Sequence, residues 1–532
     1  MTHRLFVATF VAFALATTAL AQGGTFLYQN AKHGFRLRVP RMLKEAPLDP
    51  QEEQILAKFT ANVESPDPFL KGEILELNLL VFRIGKAKGP ATGDDAAKKA
   101  EEERARSMGE QSKEFLNGAT DFPTFLKRRE IRSDFVSKNA WTKPVKSKDG
   151  GEYKLVELHG DYHNHRRGQS RNYVLLRGFL LENATEIYGL YAYGWGLQAF
   201  ETRIDEAVRS FERVTIDPNA KPVDEDDPYA DSTLRDLERR RMVRSQLVKG
   251  WSAHDSENFI LVTNITSKKT IEEMLADLEI MRVEYTKHFP PLGPMEAVST
   301  VRVCASYDDY LGYGAPDGTG GYWAPLKEEL VLFEPGKRIP KQREWVKEVD
   351  TNMVLYHEAM HQYLHYANGM VPPASWFNEG YGEYFGGAKV DRVKGEIRRI
   401  EKNAFRMKWV KLMQKQKAWP DLRMIFLMPQ HEFYGVSVMN NYAMGWSICW
   451  FLEQEREKKT GRNEDWAAIP ENYLRHLRAA ADKYRERMPD NAPKDWMLGF
   501  ADEIQKEAFE KTFAKIDILQ LEKAWIAAMA KY

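Results

Sequence analysis

The feature that most constrains the fold of this chain is a pair of short helical segments separated by a strong stop. Residues 346–364 contain neither proline nor glycine, include the sequence HEAMH, and are predicted to form one helix. Asn368 and Gly369 favour an end to that helix in the left-handed conformation, and Pro372 and Pro373 prevent its continuation. A second helix is predicted to begin directly after these prolines. Two helices joined by so short a stop are expected to be neighbours in the fold.

The HEAMH sequence has the spacing of a metal site on a helix. His357 and His361 are one helical turn apart, so their imidazoles point in the same direction. Two such rings can bind one tetrahedral zinc ion at ~2.0–2.1 Å. Glu358 is rotated by ~100° from His357 about the helix axis, which keeps it out of the ligand set. It can instead accept a proton from a zinc-bound water, whose pKa the metal lowers towards ~7. The pattern therefore predicts one Zn²⁺ per chain with Glu358 as general base.

The third ligand is predicted to come from the second helix, which reads WFNEGYGEYF. Glu379 and Glu383 are one turn apart there and are flanked by aromatic residues, an unusual setting for surface carboxylates. We expect Glu379 to bind the metal and Glu383 to accept the outer N–H of a ligating histidine, which fixes the orientation of that ring. His365 competes as a ligand because it continues the four-residue spacing. It lies ~12 Å along the helix axis from His357, too far for one ion, so a packing or substrate-side role is expected for it.

These residues resemble the gluzincins of the peptidase MA clan, whose motif is HExxH followed by a glutamate in a WLNEGxAxY-like helix start. Seventeen residues separate His361 from Glu379, one fewer than is usual in the clan. The later segment NYAMGWSICWFL resembles a Tyr-x-x-Gly helix start of the clan, and its Tyr442 lies 63 residues after Glu379. The resemblance implies a zinc peptidase in which the Tyr442 hydroxyl stabilises the oxyanion. Within the clan, the chain most resembles an uncharacterised family of exported bacterial proteins.

The residues expected to contact a substrate differ from those of the aminopeptidases of the clan. Those enzymes hold a free amine with a Gly-x-Met-Glu-Asn sequence shortly before HExxH. Here the nearest match, residues 293–297, lacks the asparagine and lies too far upstream, so an endopeptidase is favoured over an aminopeptidase. In this clan an edge strand before the zinc helix pairs with extended substrate. The resemblance implies that role for Leu330, Val331 and Leu332.

The charge of the chain and its first residues bear on partners and location. Lysine and arginine total 77, as do aspartate and glutamate, and this balance argues against nucleic acid as a partner. Residues 5–20 are apolar, follow Arg4 and end in an Ala-Leu-Ala site, so residues 1–21 are predicted to be a cleaved signal peptide. We expect an exported protein, periplasmic or extracellular, with no stable membrane span after cleavage. Cys304 and Cys449 lie in apolar runs and are expected to be free, buried thiols.

The chain is predicted to be of the α+β class with two folded domains. Residues 22–216 show several alternating strands, resemble small PsbP-like domains and are expected to form an α/β sandwich-like domain. Residues 217–250 begin with prolines among acidic residues and are predicted to be a linker and connecting helix. The resemblance implies a thermolysin-like zincin domain over residues 251–532, made of a small sheet, an active-site helix and a helical C-terminal lobe.

The function that these residues favour is that of a secreted zinc peptidase. It would hydrolyse a peptide or protein substrate with a zinc-activated water, with Glu358 as general base and Tyr442 as oxyanion stabiliser. Two alternatives stay open from the sequence. One is a catalytically inactive, metallopeptidase-like binding or scaffold protein. The other is a zinc hydrolase of a non-peptide bond, because a polarised carbonyl and an activated water serve several reactions.

Overall fold

The structure, a computed structural model, describes most of the chain and forms two compact units. The first unit comprises most of residues 24–231 and the second most of residues 232–532. The predicted signal peptide, and residues 217–227 of the predicted linker, lie outside the described residues, and the predicted domain borders stay predictions. The described residues are 24–64, 67–70, 73–86, 117–129, 142–146, 148, 152–164, 168–214, 228–230, 232–334, 346, 349–489, 492 and 496–532.

The first unit consists mainly of antiparallel strands. A seven-stranded sheet has the order β3-β4-β5-β9-β8-β7-β6, and a three-stranded sheet has the order β1-β2-β10. Its elements are β1 (Thr25–Asn30), β2 (Phe35–Pro40), β3 (Lys44–Ala46), β4 (Ile55–Glu64), β5 (Ile74–Gly85), α1 (Phe122–Arg128), β6 (Thr142–Lys146), β7 (Glu152–Asn164), β8 (Gln169–Glu182), β9 (Glu186–Tyr193), α2 (Glu201–Ser210) and β10 (Glu212–Arg213).

Alternating side chains of the larger sheet enter two separate cores. On β9, Tyr188 and Leu190 belong to the core that contains the buried face of α2, whereas Ile187 and Tyr191 belong to the core that contains α1. Because successive side chains of a strand point to opposite faces, the two helices cover opposite faces of the sheet. The apolar alternation of residues 35–40 predicts strand β2 with the bounds that the structure gives it.

The second unit contains a small sheet followed by a largely helical region. Its elements are α3 (Leu237–Ser245), β11 (Ser252–Asp255), β12 (Phe259–Thr263), α4 (Lys268–His288), β13 (Ser299–Cys304), α5 (Tyr307–Tyr313), β14 (Gly321–Ala324), β15 (Glu329–Phe333), α6 (Thr351–Ala367), α7 (Ser375–Gly386), β16 (Ala388–Asp391), β17 (Glu396–Ile400), α8 (Ala404–Gln416), α9 (Leu422–Phe426), α10 (Gln430–Phe433), α11 (Val438–Glu457), α12 (Glu464–Ala467), α13 (Ile469–Arg485), α14 (Ala501–Thr512) and α15 (Ile518–Met529).

The five strands of the small sheet have the order β11-β12-β13-β15-β14. Strands β12, β13 and β15 are parallel, and β11 and β14 are antiparallel to their neighbours. All side chains of β12 and β15 are buried, as expected for strands covered on both faces. The chain then enters α6, whose apolar residues share one core with the sheet, with α4 and with the later helices.

Helix α6 begins at Thr351, later than residue 346 where the predicted helical segment starts, and it ends where the sequence predicts. The Asp350 carboxylate accepts hydrogen bonds from the backbone amides of Asn352 and Met353 and so caps the first turn. The helix ends at Ala367, and the following Gly369 has a φ of 63°, in the left-handed region.

Helices α7 and α11 approach each other closely because glycine lies at their contact. A Cβ atom on Gly380 would lie 2.5 Å from the Gly445 carbonyl oxygen and 2.5 Å from Cys449 Sγ. Any larger residue at Gly380 would therefore push the two helices apart. This packing holds α7 beside α6 and α11.

A buried polar network fixes the first half of α6. Asp277 of α4 is fully buried and accepts hydrogen bonds from the Tyr356 hydroxyl at 2.5 Å and from two nitrogens of Arg392 at 2.6 and 2.8 Å. The Tyr285 hydroxyl donates to the Tyr356 carbonyl oxygen at 2.7 Å. The residue that directly precedes His357 is thus held by its side chain and by its backbone.

The described residues confirm a mixed helix-and-sheet architecture with several sheets. Among them, no helix is both long enough and apolar enough to cross a bilayer. Cys304 and Cys449 are free and buried, as predicted, and burial raises the pKa of both thiols.

Candidate metal centre

Three predicted ligand residues converge between α6 and α7. His361 Nε2 lies 2.9 Å from His357 Nε2, and Glu379 Oε2 lies 3.1 Å from His357 Nε2 and 3.5 Å from His361 Nε2. These three side chains form the one group in the described part of the chain whose donor atoms suit a metal ion, all within 4.8 Å of one another. The structure therefore brings together two imidazoles and one carboxylate from neighbouring helices.

The arrangement of these donors fits a single divalent ion. Ligand atoms at ~2.0–2.1 Å from a tetrahedral zinc ion lie ~3.3 Å from one another, and the three observed separations bracket that value. Two imidazoles and a carboxylate are ligand types that zinc accepts, and three protein ligands leave one position open. Although burial opposes it, the two imidazoles hold the pKa of Glu379 well below its usual range, so the carboxylate is charged. Burial also opposes ionisation of His361, but the Glu379 carboxylate raises the pKa of His361 to about 9.

Glu358 lies beside the three donors without joining them. Its side chain is only 9% exposed, and burial raises the pKa of its carboxyl group, whereas the imidazoles of His357 and His361 and the backbone N–H of Trp323 act in the opposite direction. A carboxylate with a raised pKa, next to an open ligand position, is suited to accept a proton. The structure places Glu358 where the sequence analysis expects a general base.

Glu383 lies behind His357 on α7. Its Oε1 atom is 3.6 Å from His357 Nδ1, within ion-pair distance and beyond a normal hydrogen bond. Asn403 Nδ2 donates to Glu383 Oε2 at 2.5 Å, and Arg406 Nη2 donates to Glu383 Oε1 at 2.6 Å. The predicted partner of the imidazole is therefore itself held in place by two further side chains, neither of which the sequence analysis identified.

Gly382 makes room for the imidazole of His357. A Cβ atom on Gly382 would lie 2.8 Å from Cε1 and 3.0 Å from both nitrogens of that ring. The second glycine of the WFNEGYGEYF sequence is thus explained by the ring that packs on it, because any other residue would collide with a ligand.

Two tyrosines approach the donors from the C-terminal side. The ring of Tyr442, at the start of α11, stacks on the His357 imidazole with a centroid separation of 6.3 Å, and the Arg406 guanidinium lies 4.6 Å from the Tyr442 ring centroid. The Tyr434 hydroxyl donates a hydrogen bond to Glu379 Oε1, the carboxylate oxygen that faces away from the imidazoles. The sequence predicts a role in the site for Tyr442 but none for Tyr434. Tyr434 follows the single-turn helix α10, and no motif surrounds it.

His365 does not join the ligand group. It is 8% exposed, and burial lowers its pKa to about 4, so the ring is neutral at neutral pH. Its ring packs edge-on against Trp323 with a centroid separation of 5.4 Å. His365 also lines the cavity that contains the metal donors, so its placement is compatible with both the packing role and the substrate-side role expected for it.

The predicted substrate-binding strand requires a correction. Leu330, Val331 and Leu332 form the expected strand, but β15 pairs with β13 on one side and with β14 on the other. These three side chains are completely buried, and no main-chain edge of β15 is free. The prediction that they bind substrate was wrong, because strand order cannot be read from the position of a strand in the sequence. The edge strand on this side of the sheet is β14 (Gly321–Ala324), and β11 forms the opposite edge.

A cavity of about 390 Å³ contains the three donors and Glu358. Gly321, Tyr322 and Trp323 of the edge strand line it, as do both tyrosines. Further lining comes from the residues that join α6 to α7 and from the first turns of α14: Pro372, Pro373, Ser375, Ala501, Asp502 and Gln505. The candidate metal centre thus lies in a cavity that the outermost described strand of the sheet also lines.

Comparisons with known proteins add a family of undefined function. Residues 352–463, which run from α6 to just beyond α11, are similar to the family described as "Protein of unknown function (DUF1570)". No curated protein matches the chain. A solution structure of cyanobacterial PsbP (CyanoP) from Synechocystis sp. PCC 6803 is similar at 11% identity over 36% of this chain and 92% of that one, with a TM-score of 0.18. A crystal structure of a protein from Bacteroides thetaiotaomicron VPI-5482 is similar at 7% identity over 64% and 78%, also with a TM-score of 0.18.

The two structural likenesses are too slight to identify either fold. The expected PsbP-like character of the first unit therefore stays a prediction, as does the thermolysin-like character of the second. The family match covers all five residues of the predicted metal and catalytic set, and nothing in its description bears on their chemistry.

Proposed function

We propose that this chain is a zinc-dependent peptidase of the gluzincin type, with a thermolysin-like second unit. The observation that supports it best is the convergence of His357, His361 and Glu379 around one position, with the Glu358 carboxylate beside them. Neither the ligand residues nor the base is replaced by a residue that would abolish the chemistry. An exported location follows from the predicted signal peptide and belongs to the same proposal.

The ligand residues and the base have separate tasks in this reaction. A bound zinc ion supplies Lewis-acid chemistry, which polarises a carbonyl group and lowers the pKa of a water towards ~7. Glu358 accepts the proton from the attacking water and returns it to the leaving amine. Glu379 contributes the negative charge of the ligand set, and Glu383 holds the His357 ring by its Nδ1 side. The three ligand residues and Glu358 act as one unit because α6 and α7 fix their relative positions.

Tyr442 is proposed to bind the oxygen that becomes negative when water adds to the carbonyl. The centroid of its ring lies 6.3 Å from that of the His357 imidazole and 4.6 Å from the Arg406 guanidinium carbon, and the residue lines the cavity. Burial and the nearby Glu379 carboxylate raise the pKa of Tyr442, which keeps the phenol protonated and able to donate a hydrogen bond. Such donors contribute most where charge develops during the reaction.

Strand β14 is proposed to hold the peptide. Its outer edge has no partner among the described strands, and Gly321, Tyr322 and Trp323 line the cavity. An extended peptide can add to such an edge by main-chain hydrogen bonds. The Trp323 backbone N–H also contacts Glu358, so the proposed binding strand and the base are in direct contact. This geometry supports hydrolysis within a peptide chain.

The test combines metal analysis with a peptide cleavage screen of wild type and Glu358→Gln. We expect one zinc per chain in both proteins and hydrolysis by the wild type only. The His361→Ala variant serves as the form that has lost a ligand. Equal cleavage by wild type and Glu358→Gln would remove the peptidase proposal. Zinc binding without cleavage of any peptide would favour a binding protein or a hydrolase of another bond.

A further inference from the structure

The cavity contains a carboxylate that the proposed reaction does not use. Asp502 lies in the first turn of α14, and both Asp502 and Gln505 line the cavity that contains the metal donors. Residues three apart on a helix lie on the same side, so one side of α14 faces the cavity. Gln505 Nε2 donates to the Pro372 carbonyl oxygen at 3.0 Å, which fixes this side of α14 to the segment between α6 and α7. This bond fixes the first turns of α14, which carry Asp502, beside the cleft.

The charges along the cavity leave Asp502 uncompensated. Three carboxylates, those of Glu358, Glu379 and Asp502, line the cavity, and no lysine or arginine does so among the described residues. A divalent ion would balance the first two. His365 contributes no positive charge because burial keeps its ring neutral. With a divalent ion bound, Asp502 is therefore the carboxylate of the described lining whose charge no other lining residue balances.

Helix stability alone does not explain this carboxylate. An acidic residue in a first turn interacts favourably with the helix dipole, and Glu503 supplies one at the next position without lining the cavity. Asp502 is exposed, and no hydrogen bond or ion pair joins it to another residue in the described ranges. A positively charged group of a ligand that enters the cleft can therefore pair with this carboxylate.

We infer that Asp502 selects substrates that place a positively charged group in this cleft, which rests on the proposed peptidase function. The group is an ammonium or guanidinium, from a lysine or arginine side chain near the bond that is cleaved. A free α-amine has the same charge, and the experiment separates the two sources. Acidic side chains and a free C-terminal carboxylate would meet repulsion from Asp502, because the described lining holds no lysine or arginine to offset it.

The experiment measures kcat/KM for matched peptides that differ at one position, with lysine, arginine, glutamine or glutamate, each with a free and with an acetylated N-terminus. For the wild type we expect lysine and arginine peptides to exceed the glutamine peptide about tenfold, whether or not the N-terminus is acetylated, a factor that corresponds to about 1.4 kcal/mol. In Asp502→Asn the ratio falls to about one, and in Asp502→Lys the glutamate peptide becomes the better substrate. Glu503→Gln is the matched control and retains the wild-type ratio.

The outcomes distinguish this inference from the proposed function. A wild type that cleaves no peptide overturns both. Cleavage without a preference for basic residues, or a preference that persists in Asp502→Asn, overturns the inference and leaves the peptidase proposal intact. A preference that vanishes when the N-terminus is acetylated overturns the side-chain assignment, because the free amine would then be the recognised group. Circular dichroism of each variant shows that the comparison is between folded proteins.

Discussion

The glycine beneath His357 allows a quantitative test of the ligand geometry through Gly382→Ala. The added methyl group would lie 2.8 Å from Cε1 and 3.0 Å from Nδ1 and Nε2 of the imidazole. Because ordinary contacts between such atoms are ~3.5 Å or longer, the ring has to move by about 0.5 Å. Metal–ligand distances tolerate changes of only ~0.2 Å. The substitution should therefore displace one ligand from its bonding position.

The expected loss is a 10- to 100-fold weaker affinity for zinc, about 1.4–2.7 kcal/mol, similar to the loss of an orienting partner of a ligand. The metal-free protein should not lose this amount of stability. An alanine within a helix is favoured over glycine by about 0.5–1 kcal/mol, and without metal the ring can move away from the added methyl group without loss of a metal–ligand bond. The variant thus separates metal affinity from helix stability.

The assay is a competition titration of zinc against a chromophoric chelator, with thermal unfolding of both proteins in the metal-free state. Gly386→Ala is the matched control on the same helix, since its added Cβ would lie 3.2 Å from both Met353 Cγ and the Met353 carbonyl oxygen and 3.9 Å from His357 Cβ, with no imidazole atom among these nearest neighbours. We expect the control to bind zinc like the wild type. If Gly382→Ala also bound zinc with wild-type affinity, the packing of His357 on α7 would not matter for the metal, and the reasoning would be refuted.

Three further predictions test other parts of the site and its support. Tyr442→Phe should lower kcat about 10²- to 10³-fold and retain the zinc affinity of the wild type. Tyr434→Phe should lower zinc affinity about 10- to 100-fold. Equal zinc affinities of the two variants would contradict these separate roles. Zinc at 100 times its Kd should stabilise the wild type by about 2.7 kcal/mol against thermal unfolding. A chelator should remove this stabilisation, and His361→Ala should not show it. A melting temperature of the zinc-loaded wild type that does not change with chelator would contradict the prediction. Arg392→Met leaves the Asp277 carboxylate buried with one partner fewer and should lower the free energy of unfolding by about 3 kcal/mol in urea titrations; an unchanged midpoint would show that the pair is not needed.

The candidate metal ligands could be predicted from their spacing in the sequence, because the repeat of the α-helix determines which side chains point in the same direction. The positions of His357 and His361 follow from the helical repeat, and the stop at Gly369 limits where the next helix can begin. Glu383 could be assigned as a partner of an imidazole from the same repeat. These inferences need no knowledge of the tertiary structure beyond the contact of two helices.

Strand order and isolated contacts could not be predicted in the same way. The sequence marks residues 329–333 as a strand, but the edge of the sheet belongs to β14, a four-residue strand after a glycine-rich loop. Strand β4 is missing from the sequence prediction, although residues 57–64 alternate between apolar and polar side chains as a half-buried strand does. Tyr434 contacts Glu379 from 55 residues away and after a single turn, and no periodicity marks it. Such features depend on how distant segments pack.

We propose that one metal ion binds between α6 and α7 through His357, His361 and Glu379. The most direct measurement is anomalous X-ray scattering at the zinc edge from crystals of the zinc-loaded protein. We predict a single strong peak ~2.0–2.2 Å from Nε2 of each histidine and from Glu379 Oε2. A zinc-loaded crystal without a peak at this position, or with its ion bound by other residues, would contradict the account.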